Sequence, residues 1–321
     1  MMPLFNQRHQ QALAQRQQQG LYRQLQCCDA NSKMLNFASN DYLGLAQDSE
    51  IITAWQQGLA KYGAGSSASP LVTGFQPPHA DLELQLTEWL GYQRALLFNS
   101  GFSANQAVLF TLLQAQDRLF QDKLNHASLI EAGMLSPAKM KRFAHNDMAA
   151  LQQQLLSITP EVDTASLVVT FGKAFGIQGA AVLCSQETAE YLVQFARHYI
   201  YSTAMPPAQA VALGRACSLI QTQSWRREKL QALSASLDHY LDKSLGLIPT
   251  ITPIKPIIIG DSCQTMTIAA QLQQRGIKVG AIRPPTVAPH SARLRITLTT
   301  NHNESDIRQL AMAMNEVIDV G

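Results

Sequence analysis

Short apolar segments alternate with helical patterns along residues 94–185, and this alternation limits the possible folds more than any other feature of the sequence. "RALLF" (94–98), "DRLFQD" (117–122) and "LVVTFG" (167–172) have the composition of strands, and segments such as "HASLIEAGML" between them have the pattern of helices. Strands that alternate with helices are typical of a doubly wound, mainly parallel sheet covered on both faces. The sequence therefore predicts an α/β domain in this region.

The pattern changes after about residue 220. A long amphipathic helix is predicted over Trp225–Leu245. It is followed by the strand-like segment "PIKPIIIG", a helix that ends at Gly276, the strand-like segments "IKVGAI" and "ARLRITLT", and a closing helix, "ESDIRQLAMAMNEVI". This order predicts a smaller α+β domain over 221–321. It would follow an α/β domain over 41–220 and an N-terminal lead-in segment over 1–40, and a chain of 321 residues is long enough for two domains.

Charge and cysteine content narrow the class of protein. The net charge is +2, from 25 basic and 23 acidic residues, which gives no electrostatic reason to expect a nucleic-acid partner. No apolar run is long enough to span a bilayer, and the first twenty residues lack the core of a signal peptide. The five cysteines are scattered and fit neither a disulfide framework nor a metal site. We therefore expect a cytoplasmic protein without a membrane or nucleic-acid partner.

Lys173 follows an apolar strand in the segment "LVVTFGKAFG", where glycines flank it on both sides. Open α/β sheets bind ligands beyond the carboxyl ends of their strands, so an amine at this position would face a ligand. Such an amine can form a Schiff base with pyridoxal phosphate, and the hydroxyl of Thr170 could then reach the phosphate. The alternative is a solvated lysine in a glycine-rich loop.

Three further segments carry candidate functional residues, each with a structural alternative. Ser100 to Phe102 open a helix after a strand, which suits a phosphate, although an ordinary capped helix start has the same sequence. His126 begins another helix and could stack on a flat ring or simply pack against its turn. Arg293 and Arg295 share one face of a strand. There they could clamp a carboxylate or lie at a solvated edge.

Eight long runs, spread over nearly the whole chain, are specific enough to compare with a known family. They are "NFASNDYLGL", "GAGSSASPLVTG", "ALLFNSGFSANQAVL", "LNHASLIEAG", "RFAHND", "LVVTFGKAFGIQGAAVLCS", "QFARHYIYSTAMPPAQA" and "AIRPPTVAPHSARLRITLT". Together they resemble the α-oxoamine synthases, pyridoxal-phosphate enzymes with the aspartate-aminotransferase fold. The last two runs are most similar to the branch of this family that acts in biotin synthesis.

The resemblance implies a site for pyridoxal 5'-phosphate. Lys173 would hold the cofactor as a Schiff base and would later carry the proton of the substrate Cα, while His126 would stack on the pyridine ring. The resemblance also implies a homodimer whose subunits share the site. The residues implied to hold phosphate are Gly101, Phe102, Thr170 and, from the neighbouring subunit, Thr203.

A reaction is implied as well. L-alanine and a pimeloyl thioester, carried by coenzyme A or an acyl carrier protein, would be joined with loss of CO2. Arg295 would bind the carboxylate of the amino acid. The other implied substrate contacts are Asn40, Thr286 and, from a looser alignment, Arg23.

One part of the family pattern is missing, between about residues 155 and 165. His126 and Lys173 are 47 positions apart (173 − 126), whereas the family has two additional central strands in this interval. One of those strands ends in an aspartate that would pair with the pyridine nitrogen. The acidic residues between Asp147 and Lys173 are Glu161 and Asp163 alone, and both precede the strand that leads to Lys173. Without the two strands, the flanking strands must pair directly or leave two open edges.

The shortened interval leaves two explanations open. Either the protein has residues that this chain lacks, or a real internal deletion has left a catalytically impaired remnant. A third hypothesis, a nicotinamide-dependent enzyme, has weak support because no G-x-G-x-x-G follows the first strand, and "GAGSSASPLVTG" lies upstream of the sheet.

Overall fold

The structure is a computed structural model that describes residues 4–25, 27, 33–156, 166–284 and 286–318. The chain divides into two compact units, and each is described separately. One unit comprises Leu45–Gln223, and the other joins Met1–Gly44 to Ser224–Gly321. The N-terminal segment thus groups with the C-terminal part of the chain.

The helices and strands of the described residues follow the predicted order. The helices are α1 Leu4–Gln18, α2 Ser49–Tyr62, α3 Pro77–Leu90, α4 Gly101–Leu112, α5 Ala127–Leu135, α6 Met148–Leu156, α7 Gln186–Phe195, α8 Arg197–Ile200, α9 Pro207–Thr222, α10 Trp225–Tyr240, α11 Ser262–Gln274 and α12 Glu304–Val317. The strands are β1 Leu35–Phe37, β2 Arg94–Phe98, β3 Arg118–Asp122, β4 Lys139–Phe143, β5 Leu167–Thr170, β6 Ala180–Cys184, β7 Ile254–Gly260, β8 Ile277–Ile282 and β9 Ala292–Thr297.

The sheet of the α/β unit is mixed. Strand β6 lies between β2 and β5 and runs antiparallel to both, so that Phe98 and Thr170 each lie opposite Ala180. Strands β3 and β4 pair in parallel as a separate two-stranded sheet. The prediction of a mainly parallel sheet therefore needs a correction: the turn over 171–179 returns the chain directly beside β5, and this reverses β6.

The expected open edges are present in the described part of the chain. Strand β5 pairs with β6 alone, β3 pairs with β4 alone, and no ladder of the described residues joins the two sheets. Leu167, at the start of β5, is 37% exposed although a central strand of an α/β sheet would bury it. The direct pairing of the two halves, the other outcome considered, does not occur there.

A small apolar core packs β2 and β6 against α4, and Val168 of β5 lies against it. All five residues of β6 are buried, and Val182 packs with Leu96 and Phe98 of β2. Ala104 and Ala107 of α4, both 0% exposed, belong to the same cluster. Their small side chains hold α4 close to the sheet, so the start of this helix is positioned by packing rather than by its own sequence.

The second unit contains a four-stranded sheet in the order β1-β8-β9-β7. β1 is parallel to β8, and the other pairs are antiparallel. The alternation predicted in β9 is present: Leu294 and Ile296 are fully buried, and Arg293 and Arg295 are half-buried on the opposite face. Of the described helices, none has both the length and the apolar character needed to cross a membrane.

The helix predicted over Trp225–Leu245 is shorter than expected. Helix α10 ends at Tyr240 because Leu241 is extended, and Asp242 then accepts a hydrogen bond from the backbone N–H of Ser244 to begin a separate 3-10 turn. An Asp that can bond to its own backbone two residues on competes with helix continuation. The lead-in helix α1 forms as predicted, but none of its residues is buried.

Candidate active site

Lys173 projects from a turn that is anchored beneath it. The turn is held by hydrogen bonds from the Phe171 N–H to the Gly179 carbonyl at 2.8 Å and from the Gly176 N–H to the Lys173 carbonyl at 2.8 Å. Phe171 is fully buried, whereas Lys173 is exposed. Its Nζ donates to Oγ1 of Thr170 over 2.9 Å. The amine is therefore fixed at the carboxyl end of β5, as the sequence predicted.

The first turn of α4 lies directly beside Thr170. A Cβ atom built on Gly101 would come within 2.4 Å of Cγ2 of Thr170, so only glycine fits there without a shift. Ser100 caps the helix and accepts from the backbone N–H of Ser103. The backbone N–H groups of Gly101 and Phe102 have no acceptor among the described residues. Two free donors at a helix N-terminus form a site for an anion.

His126 is the N-cap of α5, and its ring is held from one side. Its Nδ1 accepts from the backbone N–H of Ser128 at 3.2 Å and lies 2.8 Å from Ser128 Oγ. In the described residues nothing forms a hydrogen bond to Nε2, and the side chain is exposed. Phe102 contacts the ring edge-to-face, with centroids 6.5 Å apart. The imidazole is thus oriented but accessible.

Thr203 is exposed, and its backbone is tied to the start of α4. Asn99 donates from Nδ2 to the Thr203 carbonyl at 2.8 Å, and the Asn99 carbonyl accepts from Gln178 Nε2 at 3.2 Å. The Ala204 N–H donates to the Ala68 carbonyl at 2.9 Å. These bonds leave the Thr203 side chain at the surface, as a residue that acts in a neighbouring subunit would require.

Arg295 and Asn40 are brought together in the second unit. Nη2 of Arg295 donates to Oδ1 of Asn40 at 2.9 Å and to the Tyr42 hydroxyl at 3.2 Å. Arg293, on the same face of β9, donates instead to the Ser291 carbonyl at 3.1 Å. Of the two arginines, Arg295 is the one whose guanidinium is oriented by a side-chain amide and a phenol. This orientation agrees with the family resemblance, which implied Arg295 rather than Arg293 as the carboxylate ligand.

Arg23 and Thr286 line a common cavity of about 140 Å³, also in the second unit. Arg283 lines the same cavity and donates to the Gly20 carbonyl. A larger open groove of about 680 Å³ shares Arg23 and Arg283 and adds the apolar side chain of Met266. Two guanidinium groups beside apolar surface suit a ligand with an acyl chain and an anionic or polar end.

An acid that could pair with a ring nitrogen is the one element of the implied site that the described residues do not supply. Asp122, at the carboxyl end of β3, already accepts from the backbone N–H groups of Asn146 and Leu124 and from His145. These hydrogen bonds hold the pKa of Asp122 below its ordinary value. Glu161 and Asp163, the alternatives considered from the sequence, lie outside the described residues.

The remaining groups fit pyridoxal phosphate. An exposed amine is fixed at a strand end, two free backbone N–H groups lie beside it, and an oriented imidazole belongs to the same unit. The Gly101 cradle, which a side chain would fill, supports the phosphate position in particular.

Five residues that the sequence did not single out support these groups: Asn99, Asn105, Ser128, Tyr42 and Arg283. Ser128 had a detectable signal, because it lies two residues after the helix-capping His126, within reach of a local hydrogen bond. The contact of Asn99 with Thr203 spans 104 positions and left no local signal in the sequence.

The profile of the family "Aminotransferase class I and II" matches the chain in two parts, over residues 32–169 and 155–314. The two matches overlap where the sequence predicted the missing segment. An 8-amino-7-oxononanoate synthase of Photobacterium profundum is 50% identical over 390 residues, which cover 99% of this chain and 100% of the relative. An 8-amino-7-oxononanoate synthase of Vibrio atlanticus is 50% identical over 382 residues, which cover 99% of this chain and 94% of the relative.

Solved structures agree with these sequence relatives. An 8-amino-7-oxononanoate synthase of Francisella tularensis superimposes with a TM-score of 0.75 at 28% identity, covering 88% of this chain and 97% of that one. A serine palmitoyltransferase of Sphingomonas wittichii gives 0.82 at 21% identity, covering 88% and 87%. The alignment with the Photobacterium relative is 69 positions longer (390 − 321) than this chain. The relative therefore has roughly that many residues without a counterpart here.

Proposed function

The chain belongs to the class I and II aminotransferase family and, within it, to the 8-amino-7-oxononanoate synthases, and we propose that it condenses L-alanine with a pimeloyl thioester, releasing CO2, in biotin synthesis. The family resemblance and the fold class read from the sequence are confirmed, with a mixed rather than a mainly parallel sheet, and the cofactor is pyridoxal phosphate. The impaired remnant is the less favoured alternative, because the residues implied to bind cofactor and substrate are retained apart from the acid for the ring nitrogen.

One observation carries the proposal: the Lys173 amine lies 2.9 Å from Thr170 Oγ1, and Thr170 in turn lies against the first turn of α4. The cofactor, when bound, supplies an electron sink for negative charge at the substrate Cα. The free N–H groups of Gly101 and Phe102 would hold its phosphate, together with the Thr170 hydroxyl. The Lys173 amine would then accept the Cα proton as a general base.

The second unit supplies the groups proposed for substrate recognition. Arg295, oriented by Asn40 and Tyr42, would bind the carboxylate of L-alanine through its planar fork of donors. Arg23 and Thr286 would contact the acyl chain in the cavity they share. The described residues do not distinguish a coenzyme A thioester from one on an acyl carrier protein, and the proposal covers both.

A homodimer is proposed from the surface around Thr203. Val72 is 73% exposed and Tyr201 is 75% exposed, and their segments are joined by the bond between Ala204 and Ala68. Exposed apolar and aromatic side chains in one region are typical of a protein–protein interface. Sedimentation of the native chain and of Val72→Asp tests this proposal. The native chain should sediment as a dimer, and Val72→Asp should shift toward monomer.

A cytoplasmic location is proposed from the thiols. The cysteines of the described residues, Cys27, Cys184, Cys217 and Cys263, are all free. Burial raises the pKa of Cys184 and of Cys217 to about 11, so these two thiols stay protonated and unreactive. Such residues suit a reducing compartment.

The experiment that tests the proposed function is substitution of the amine. Lys173→Ala is expected to abolish the visible absorption band of the protein mixed with pyridoxal phosphate, along with product formation from L-alanine and pimeloyl-coenzyme A. Borohydride reduction followed by peptide mass analysis should place the cofactor on Lys173. Lys139→Ala, a change of an exposed lysine on β4, is the matched control. A band that survives Lys173→Ala, or a cofactor found on another lysine, would overturn the assignment.

A further inference from the structure

A chain of three side chains reaches His126 from the helix packed beside it. Asn105 of α4 donates from Nδ2 to Oγ of Ser128 at 2.8 Å, and Ser128 Oγ lies 2.8 Å from Nδ1 of His126. Ser128 is fully buried, and Asn105 is half-buried between α4 and α5. Neither residue belongs to the set implied to contact cofactor or substrate.

The direction of each hydrogen bond follows from the protons available. The backbone N–H of Ser128 already points at Nδ1 of His126, so Nδ1 must offer a lone pair. Ser128 Oγ accepts a hydrogen bond from the Asn105 amide, and the Ser128 hydroxyl is then free to donate a hydrogen bond to Nδ1. Both donors that reach the ring from this side therefore require an unprotonated Nδ1.

We propose that Asn105 and Ser128 are positioning residues that hold His126 in the tautomer with its proton on Nε2. The ring then presents Nε2–H on its exposed side, where no described residue bonds to it. The tautomer follows from the hydrogen bonds alone, whereas its use in catalysis rests on the proposed function. A histidine that stacks on the cofactor would act there as a neutral donor with a fixed ring plane.

Asn105 sets the direction of this chain because its amide can donate while an aspartate can only accept. In Asn105→Asp the Ser128 hydroxyl would turn to donate to the new carboxylate, and Ser128 Oγ would become an acceptor facing Nδ1. The change is nearly isosteric, so the reversal needs no movement of α4. The Ser128 backbone N–H still points at Nδ1, so we expect the fraction of His126 protonated at Nδ1 to rise in this variant while the Nε2-protonated form stays the main one.

The test is nitrogen-15 NMR of the histidine side chains in the cofactor-free protein at about pH 8.5, where ordinary histidines are neutral. His126→Gln identifies the signal to follow. The native chain should show a pyridine-type Nδ1 and a pyrrole-type Nε2, and Asn105→Asp should move both signals toward each other as the Nδ1-protonated fraction rises. Circular dichroism verifies that the variant folds.

Gln106→Ala is the matched control, because Gln106 also joins α4 to α5, through Glu131 at 3.3 Å, without touching this chain. It should leave the His126 tautomer unchanged. A protonated Nδ1 in the native protein would overturn the proposal, and so would an Nδ1-protonated fraction that does not rise in folded Asn105→Asp. Should Asn105→Asp fail to fold, the native spectrum still decides whether the tautomer is as proposed, and Ser128→Ala, which removes the hydroxyl donor, takes the variant's place. The proposal then requires the Nδ1-protonated fraction to rise at least about threefold in Ser128→Ala, and no rise would overturn the role of Asn105 and Ser128.

The cofactor band of Lys173→Ala tests the proposed function. It tests neither the His126 tautomer nor the role of Asn105 and Ser128, so the two proposals fail separately.

Discussion

Nη2 of Arg295 lies 2.9 Å from Oδ1 of Asn40, although 255 positions separate the two residues in the sequence. A guanidinium with one donor engaged by a side-chain amide keeps a defined orientation and still has donors for a carboxylate. This contact therefore sets the orientation of the Arg295 guanidinium in the proposed amino-acid site of the second unit.

Arg295→Lys is expected to weaken alanine binding more than it slows turnover. Lysine keeps the charge but cannot form the planar, two-bond contact with a carboxylate. Loss of a charge-assisted hydrogen bond costs about 1.5–3 kcal/mol, which corresponds to a rise in the KM for L-alanine of roughly 10- to 150-fold. Steady-state kinetics with varied alanine measures it. Arg293→Lys, which changes the neighbouring arginine on the same face, should leave this KM within about threefold, and an equal effect of both changes would contradict the assignment.

The strand end that carries Lys173 and the strand face that carries Arg293 and Arg295 could be predicted from the sequence because each depends on a local pattern. Lys173 follows an apolar strand and precedes a glycine turn, and the two arginines alternate with buried leucine and isoleucine, whereas the choice of Arg295 between them came from the family resemblance. Those patterns fix a strand end and a strand face before any tertiary contact forms.

The contacts that orient these residues could not be predicted in the same way. Asn40 with Arg295 and Asn99 with Thr203 join segments that meet only in the folded chain. The direction of β6 was misjudged for the same reason: the apolar run "AAVLC" is compatible with either direction, and the preceding turn decides it. The end of α10 at Tyr240 was missed because amphipathic spacing continues to Leu245 beyond the local bond of Asp242.

Gly101→Ala is expected to weaken cofactor binding, and Thr170→Ser should restore it. The added methyl would meet Cγ2 of Thr170 at 2.4 Å, and overpacking of this kind costs about 1–3 kcal/mol. The Kd for pyridoxal phosphate should therefore rise roughly 5- to 150-fold. Thr170→Ser removes Cγ2 but keeps the hydroxyl, so the double variant should bind nearly as the native chain does. Titration of the visible band measures each Kd.

Gly172→Ala provides the control for this pair of changes. Gly172 lies in the same turn, but a Cβ there would meet nothing within 4 Å, so its Kd should stay close to the native value. If the double variant binds as weakly as Gly101→Ala alone, the contact with Thr170 is not the cause of the loss.

Glu83 should make the stability of the protein fall as the pH rises. Its Oε1 is buried without a hydrogen-bond partner among the described residues, and burial raises its pKa from 4.5 to about 8, although the Arg94 charge opposes the shift. Because the folded protein favours the protonated acid, this contribution is complete below about pH 4.5 and is lost progressively up to about pH 8.

Urea unfolding at intervals from pH 5 to 9 measures the effect. Glu83→Gln removes the ionisation and should flatten the profile, leaving the variant more stable than the native chain near pH 9 by up to about 5 kcal/mol. Glu88→Gln changes an exposed residue of the same helix and should retain the native profile. A native profile that does not fall between pH 5 and 8 would contradict the buried acid.

The open edges of β3 and β5 predict that the missing segment would stabilise this chain if it were restored. The Photobacterium relative is aligned over 390 residues, and the family matches overlap at residues 155–169, so its additional residues belong between β4 and β5. Grafting them in place of residues 157–165 should pair both edges. If the new ladders contribute even two or three net hydrogen bonds of about 1 kcal/mol each, the melting temperature should rise by roughly 5 °C or more. Light scattering on heating should fall as well, because unpaired strand edges promote aggregation.

A flexible glycine–serine insert of equal length is the control, and it should lower the melting temperature or leave it unchanged. If the graft and the flexible insert give the same melting temperature, the two edges are not the sites that the additional residues occupy.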